Sequence, residues 1–122
     1  MARLSVGVVG TGFIARTHVD AFRRACILFP ELGVNAAIDV VADVTLQAAR
    51  TFANRMGIPN AVDDWRALVD HPGLDLIAIA APNNLHFPIA MAAVAKGIAV
   101  FCEKPLAMNA AEAEQMATAA GA

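Results

Sequence analysis

Leu4 to Val9 is an apolar run rich in valine that passes directly into Gly10-Thr11-Gly12. A run of this kind reads as a strand covered on both faces, and such strands belong to parallel sheets layered between helices. The helix that must then return the chain is present from Phe13. Ala15, His18, Val19, Phe22, Ala25, Cys26 and Phe29 recur at gaps of three and one, which is one helical face, and Pro30 stops it.

The alternation continues along the chain. After a loop marked by Gly33 and Asn35, Ile38 to Ala42 reads as a second strand ending at Asp43. Thr45 caps a second helix with the face Leu46, Ala49, Phe52, Ala53 and Met56, and Gly57 stops it. Asn60 to Val62 is a short third strand, and a short helix begun by Asp63 or Asp64 ends in the turn Asp70-His71-Pro72-Gly73. Leu74 to Ala81 is a fourth apolar run, interrupted by Pro82-Asn83-Asn84. A helix from Phe87 to Lys96 stops at Gly97, and Ile98 to Cys102 is a fifth strand with Glu103-Lys104-Pro105 as its exit. Asn109 and Glu112 have the spacing of a cap and its reciprocal partner for a last helix to Ala120. The pattern predicts an α/β fold, a doubly wound parallel sheet with helices on both faces. Right-handed crossovers put the ligand crevice at the carboxyl ends of strands one and four, where strand order reverses, and this gathers Gly10, Asp43 and Pro82 around one site.

At 122 residues the chain has room for one hydrophobic core, and 58% apolar against 16% charged residues excludes a disordered chain. Twenty-eight alanines make much of that apolarity small side chains suited to close helix packing. Nine basic and eleven acidic residues are spread along the chain for a net charge of −2. With no basic run to meet a phosphate backbone, nucleic acid is not expected as a partner. No apolar stretch reaches the roughly 18 residues of a bilayer span and no leader segment is visible, so no membrane partner is expected and the chain reads as cytoplasmic. Cys26 and Cys102, far apart in apolar surroundings, read as free, buried thiols. His18, His71 and His86 lack the short spacings of metal-ligand pairs, so no metal site is expected.

Gly10-Thr11-Gly12-Phe13-Ile14-Ala15 has the form G-x-G-x-x-A, between a buried strand and a helix, which is the context that makes this fingerprint specific for dinucleotides. Gly10 permits the tight turn, Gly12 lets backbone N–H groups approach a pyrophosphate at the positive helix end, and Ala15 keeps the helix close to the sheet. Asp43, at the end of the second strand, supplies a carboxylate for the adenosine ribose hydroxyls that would repel a 2′-phosphate, so NAD is expected over NADP. It lies 31 positions beyond Gly12, against the roughly 20 of the usual pattern, and the loop from Pro30 to Ala37 is expected to absorb the excess.

Four segments in order carry a resemblance to a known family: Gly10 to Ala15 with His18 after it, Ala42-Asp43, Ala81-Pro82-Asn83-Asn84-Leu85-His86, and Cys102-Glu103-Lys104-Pro105-Leu106-Ala107. The chain resembles the N-terminal, Rossmann-type domain of the Gfo/Idh/MocA family of nicotinamide-dependent sugar and cyclitol oxidoreductases. The stretches Ala42 to Thr45 and Asp64 to Val69 are further similar to members acting on levoglucosan or inositol. By that resemblance Phe13 and Ile14 complete the pyrophosphate turn, and Pro82, Asn83 and His86 line the nicotinamide ribose side. Glu103, counted among the cofactor-binding residues, and Pro105 would fix the position of Lys104, the catalytic residue that holds or polarises the substrate hydroxyl. Physics permits that role, since an ammonium beside a developing alkoxide stabilises charge where it appears.

The departure from the family is length. Its members continue with a further strand and a second domain that builds most of the substrate pocket and carries a downstream Asp and His for proton transfer. Residues 1–122 are thus expected to be the dinucleotide-binding domain alone, truncated after about five strands, the cofactor half of an oxidoreductase and inactive by itself. The alternative is a stand-alone dinucleotide-binding module without catalysis. Without the further strand, Ile98 to Cys102 is an edge whose unpaired N–H and C=O groups invite pairing with another chain, so a homo-oligomer is expected.

Overall fold

The computed structural model describes residues 2–121. In chain order it comprises β1 (Ala2–Val9), α1 (Phe13–Leu28), a 3-10 turn at Pro30–Leu32, β2 (Val34–Ala42), α2 (Leu46–Met56), β3 (Asn60–Val62) and α3 (Trp65–Val69). There follow β4 (Leu76–Ile79), α4 (Asn83–Ala95), β5 (Ala99–Cys102) and α5 (Ala110–Gly121). The five strands form one sheet in the order β3-β2-β1-β4-β5, and every pairing is parallel. This is the doubly wound sheet that the apolar strands predict.

Apolar side chains leave the sheet on both faces, so the core of this one domain lies in two layers. On one face Val6, Val8, Ile38 and Val41 meet Ala15 and Val19 of α1 and Phe52 and Ala53 of α2. On the other, Val9, Val40, Ile77 and Ile79 meet Leu68 of α3, Ile89 and Ala93 of α4, and Met116 of α5. Burying a side chain of the Val, Leu or Ile class stabilises by about 1.5–3 kcal/mol, so these two layers supply the main favourable term of the fold. Gly7 belongs to this packing: a Cβ there would stand 3.0 Å from Leu68 Cδ2 and 3.1 Å from Leu74 Cδ1, so β1 passes close beneath α3.

The local stop and start signals work as read. Thr45 Oγ1 accepts from Ala48 N–H at 3.1 Å. Asp64, of the two candidates, is the cap of α3 and accepts from Arg66 N–H at 2.9 Å. Asn109 Oδ1 accepts from Glu112 N–H at 2.8 Å, while Glu112 Oε1 accepts from Met108 N–H at 3.1 Å, a reciprocal cap.

Several element boundaries differ from expectation, and the fourth apolar run, Leu74 to Ala81, is a strand only over Leu76–Ile79. β1 begins at Ala2, not Leu4, and β2 at Val34, not Ile38, because Ala2 pairs with Val34 and Arg3 with Asn35. The segment from Pro30 to Ala37 that lengthens the spacing between Gly12 and Asp43 is therefore half 3-10 turn and half strand, and not loop throughout. The register slips between Val6 and Gly7, which leaves Asp39 as a bulged residue of β2. Its carboxylate accepts from Arg3 at 2.6 Å and from the Ser5 hydroxyl. Pro82-Asn83-Asn84, read as an interruption before a helix at Phe87, is instead the cap and first turn of α4, with Leu85 N–H donating to Pro82 O at 2.9 Å. Pro88 sits within the second turn, where it forgoes one backbone bond while Ile89 next to it is wholly buried.

Candidate functional site

β1 and β4 are neighbours whose following connections run to opposite ends of the sheet, so a crevice opens above their carboxyl ends. Gly10 leaves β1 with φ of +110°, and a Cβ there would lie 2.5 Å from the carbonyl oxygen of Ala80 at the end of β4. Only glycine passes that point. Gly12 differs: its φ is −82°, open to any residue, and nothing lies within 4 Å of the position a Cβ would take. It is also the N-cap of the 16-residue α1 and offers no side-chain cap, so the first N–H groups of the helix have no side-chain partner. Backbone donors, a positive helix end and vacant space thus coincide, which fits a pyrophosphate held at this turn.

The crevice has a volume of about 650 Å³, and its walls bring together four of the residues singled out in the sequence: Gly10, Gly12, Asp43 and Pro82. Asp43 Oδ1 accepts from Val44 N–H at 2.6 Å, and Oδ2 accepts from the Thr11 hydroxyl. The glycine turn is thereby tied to the end of β2. Sequence reasoning missed Thr11, Val44, Trp65 and Arg66 as lining residues. Arg66 lies over the Trp65 ring at 4.5 Å and pairs with Asp64 at 3.4 Å. Thr11 and Val44 lie inside stretches the sequence singles out, Gly10 to Ala15 and Ala42 to Thr45, while Trp65 and Arg66 are signalled only by Asp64 to Val69, which the resemblance picks out without giving it a role.

The remaining candidates fall outside that lining. Phe13 and Ile14 open α1 with side chains 68% and 41% exposed. Glu103 and Lys104 leave β5, with Lys104 exposed and the Lys104–Pro105 peptide bond cis. Glu103 Oε1 accepts from Lys104 N–H at 3.0 Å, and Oε2 accepts from His18 Nε2 at 3.0 Å. The Lys104 backbone N–H, and after it the His18 ring, hold the Glu103 carboxyl below the usual glutamate range. Burial pushes the neighbouring Cys102 thiol up. Cys102 and Cys26 are both free but half-buried, less enclosed than expected.

His86 is placed behind this corner. It is 2% exposed, with Nδ1 2.8 Å from Pro105 O and Nε2 2.9 Å from Ala81 O, so it bridges the loops that follow β4 and β5. Its ring faces backbone carbonyls on both sides and not the open crevice. Asn83 Oδ1 is buried without a partner among the described residues.

Comparison with known proteins agrees with this geometry. The profile of a family described as an oxidoreductase family with an NAD-binding Rossmann fold, GFO_IDH_MocA, matches residues 4–122. The levoglucosan dehydrogenase of Pseudarthrobacter phenanthrenivorans is 35% identical over 116 residues, covering 95% of this chain and 30% of that protein. The chain therefore spans about a third of the length of the curated relatives it matches. Among solved structures, an NAD-binding oxidoreductase from Klebsiella pneumoniae superposes with a TM-score of 0.94 at 43% identity, over 98% of this chain and 32% of that one. A levoglucosan dehydrogenase in complex with NADH and L-sorbose gives 0.95 at 35%, over 99% and 32%. A biliverdin reductase from Synechocystis, in complex with biliverdin and NADP+, gives 0.80 at 30%, over 97% and 34%. With a glycine turn opening a crevice at the switch of strand order and a family profile matched along nearly its whole length, this chain belongs to the Gfo/Idh/MocA oxidoreductases, as their NAD-binding Rossmann domain.

Proposed function

We propose that the chain is the cofactor-binding part of an NAD-dependent dehydrogenase acting on a hydroxyl of a sugar or cyclitol. The observation that carries this reading is Gly12, a residue whose backbone has no need of glycine and whose missing Cβ faces vacant space at a helix N-terminus. A ligand that approaches the backbone there explains the residue, and a pyrophosphate has the matching charge.

The residues around it take defined parts. The backbone N–H groups from Gly12 to Ile14 hold the pyrophosphate. The Asp43 carboxylate accepts from the adenosine ribose hydroxyls through lone pairs that Val44 and Thr11 leave free, and it repels a 2′-phosphate. Pro82 and Asn83 flank the nicotinamide ribose, and the unpartnered Asn83 Oδ1 is an acceptor for it. His86 supports that side from beneath, its buried ring set between the Ala81 and Pro105 carbonyls. When bound, the nicotinamide supplies the hydride acceptor or donor. Lys104 supplies a positive charge to the substrate oxygen, in a position fixed by Glu103.

The test is a titration of the chain with NADH and NADPH, followed by nicotinamide fluorescence. NADH binds more tightly, and Asp43→Ser narrows the difference. Equal or tighter binding of NADPH by the unaltered chain overturns the role given to Asp43.

A further inference from the structure

His18 lies on the apolar face of α1, is 9% exposed, and sits edge-on to Phe101 with ring centroids 5.1 Å apart. A histidine there has the burial of an ordinary core residue. Its polar contacts are not ordinary: Nε2 meets Glu103 Oε2 at 3.0 Å, while Nδ1 is buried without a partner among the described residues. A carboxylate can only accept, so Nε2 carries the hydrogen.

Glu103 stands between two donors, since its other oxygen takes the Lys104 backbone N–H at 3.0 Å. Only a carboxylate offers an acceptor at both ends of one side chain. The result is a chain of contacts from α1, whose N-terminus forms the phosphate turn, across the end of β5 to the backbone of Lys104.

We infer that His18 is a positioning residue, which fixes the direction in which Lys104 leaves β5 by holding Glu103 against the Lys104 amide. The inference rests on the proposed function only in giving Lys104 a task; the contacts themselves stand apart from it. A histidine is suited to this because its ring packs against Phe101 while one edge presents a single, directed N–H. Because α1 also bears the phosphate turn, the same helix sets both the cofactor's anchor and the lysine's exit.

Amide hydrogen exchange in the full chain with NADH bound tests this, with Val8 and Ile77 as reference amides in the sheet. His18→Ala is expected to lower the protection of the Lys104 amide about tenfold, the effect of losing one hydrogen bond's support, while Val8 and Ile77 stay within about twofold. His18→Gln, whose amide nitrogen can reach the place of Nε2, restores the protection. Glu103→Gln lowers it, because a side-chain amide has only one acceptor for two donors. In the unaltered chain, Lys104 protection falls as acid protonates Glu103, and Glu103→Gln removes that pH dependence. Unchanged Lys104 protection in His18→Ala overturns the inference. So does a general loss across β1 and β4 in both His18 variants, which would make His18 a packing residue. None of these readouts uses turnover, so failure here is distinct from failure of the catalytic role of Lys104.

Discussion

Gly10 and Gly12 stand two positions apart in one motif, and opposite outcomes are expected when each is replaced by alanine. At Gly10 the added Cβ must adopt φ of +110° and lies 2.5 Å from Ala80 O, a backbone atom that cannot turn aside. Forcing a side chain into that region costs about 1–3 kcal/mol, and the overpacking a similar amount. Together this is a large part of the roughly 5–15 kcal/mol that holds a domain of this size. Gly10→Ala should therefore lower Tm by roughly 10 °C or more.

At Gly12 the backbone already suits alanine, and the Cβ meets nothing within 4 Å. Loss of glycine's freedom in the unfolded chain favours the variant by about 0.4–1 kcal/mol. The poorer helix cap opposes it by an amount on the order of 0.5–1 kcal/mol. Gly12→Ala should accordingly leave stability within about 1 kcal/mol of the parent. The methyl group nevertheless occupies the space through which a pyrophosphate reaches the backbone. A displaced, charge-assisted hydrogen bond costs about 1.5–3 kcal/mol, so NADH affinity should fall roughly ten- to a hundredfold. Thermal unfolding by circular dichroism and NADH fluorescence titration on both variants separate the two effects. A Gly12→Ala chain that binds NADH like the parent, or that unfolds as early as Gly10→Ala, would refute the reasoning.

In the proposed full-length dehydrogenase, Lys104→Ala should reduce kcat much more than NADH affinity, since the ammonium is assigned to the substrate oxygen; unchanged kcat at saturating substrate removes that role. Asp39 should shape acid unfolding. Burial alone would raise its pKa, but the Ser5 hydroxyl and the Arg3 guanidinium outweigh it and hold the carboxyl below its ordinary 3.8. A lowered folded-state pKa adds stability that is present above the unfolded value and lost as pH falls through the folded one, so the urea midpoint should drop below about pH 4, and Asp39→Asn should flatten that limb. An identical acid limb in Asp39→Asn would sink this assignment. β5 is an edge of the sheet with Phe101 50% exposed, so light scattering of the chain should show species above the monomer that grow with concentration; a strict monomer with protected β5 amides contradicts it.

The order and type of the regular elements are legible because the buried stretches of the strands are apolar and α2, α3 and α5 carry side-chain caps. What local pattern does not carry is how far an element extends once a partner is present. Ala2, Arg3, Val34 and Asn35 have no apolar alternation, yet they pair because two long strands already lie side by side. Asp39 reads as one polar position in an apolar strand, and only the slipped register shows it as a bulge tied to Arg3 and Ser5. At α4 the prolines Pro82 and Pro88 argue for a late start. The helix nonetheless begins at Asn83, since a cap tolerates one proline and the tertiary contacts of His86 and Ile89 outweigh the single bond lost to the other.

The same distinction divides the site. Gly10, Asp43 and Pro82 can be brought together from sequence, because a parallel sheet with right-handed crossovers has one place where strand order reverses. Trp65 and Arg66 escape, since no rule of order tells how far the start of α3 leans over the crevice. His18 shows the limit most clearly: its place on an apolar helical face predicts burial correctly, but its partner Glu103 is 85 positions away. That contact exists because β4 brings β5 to the side of the sheet that α1 covers. Periodicity assigns a residue to a face; sheet order decides which polar atom waits there, and the Lys104 corner depends on the second.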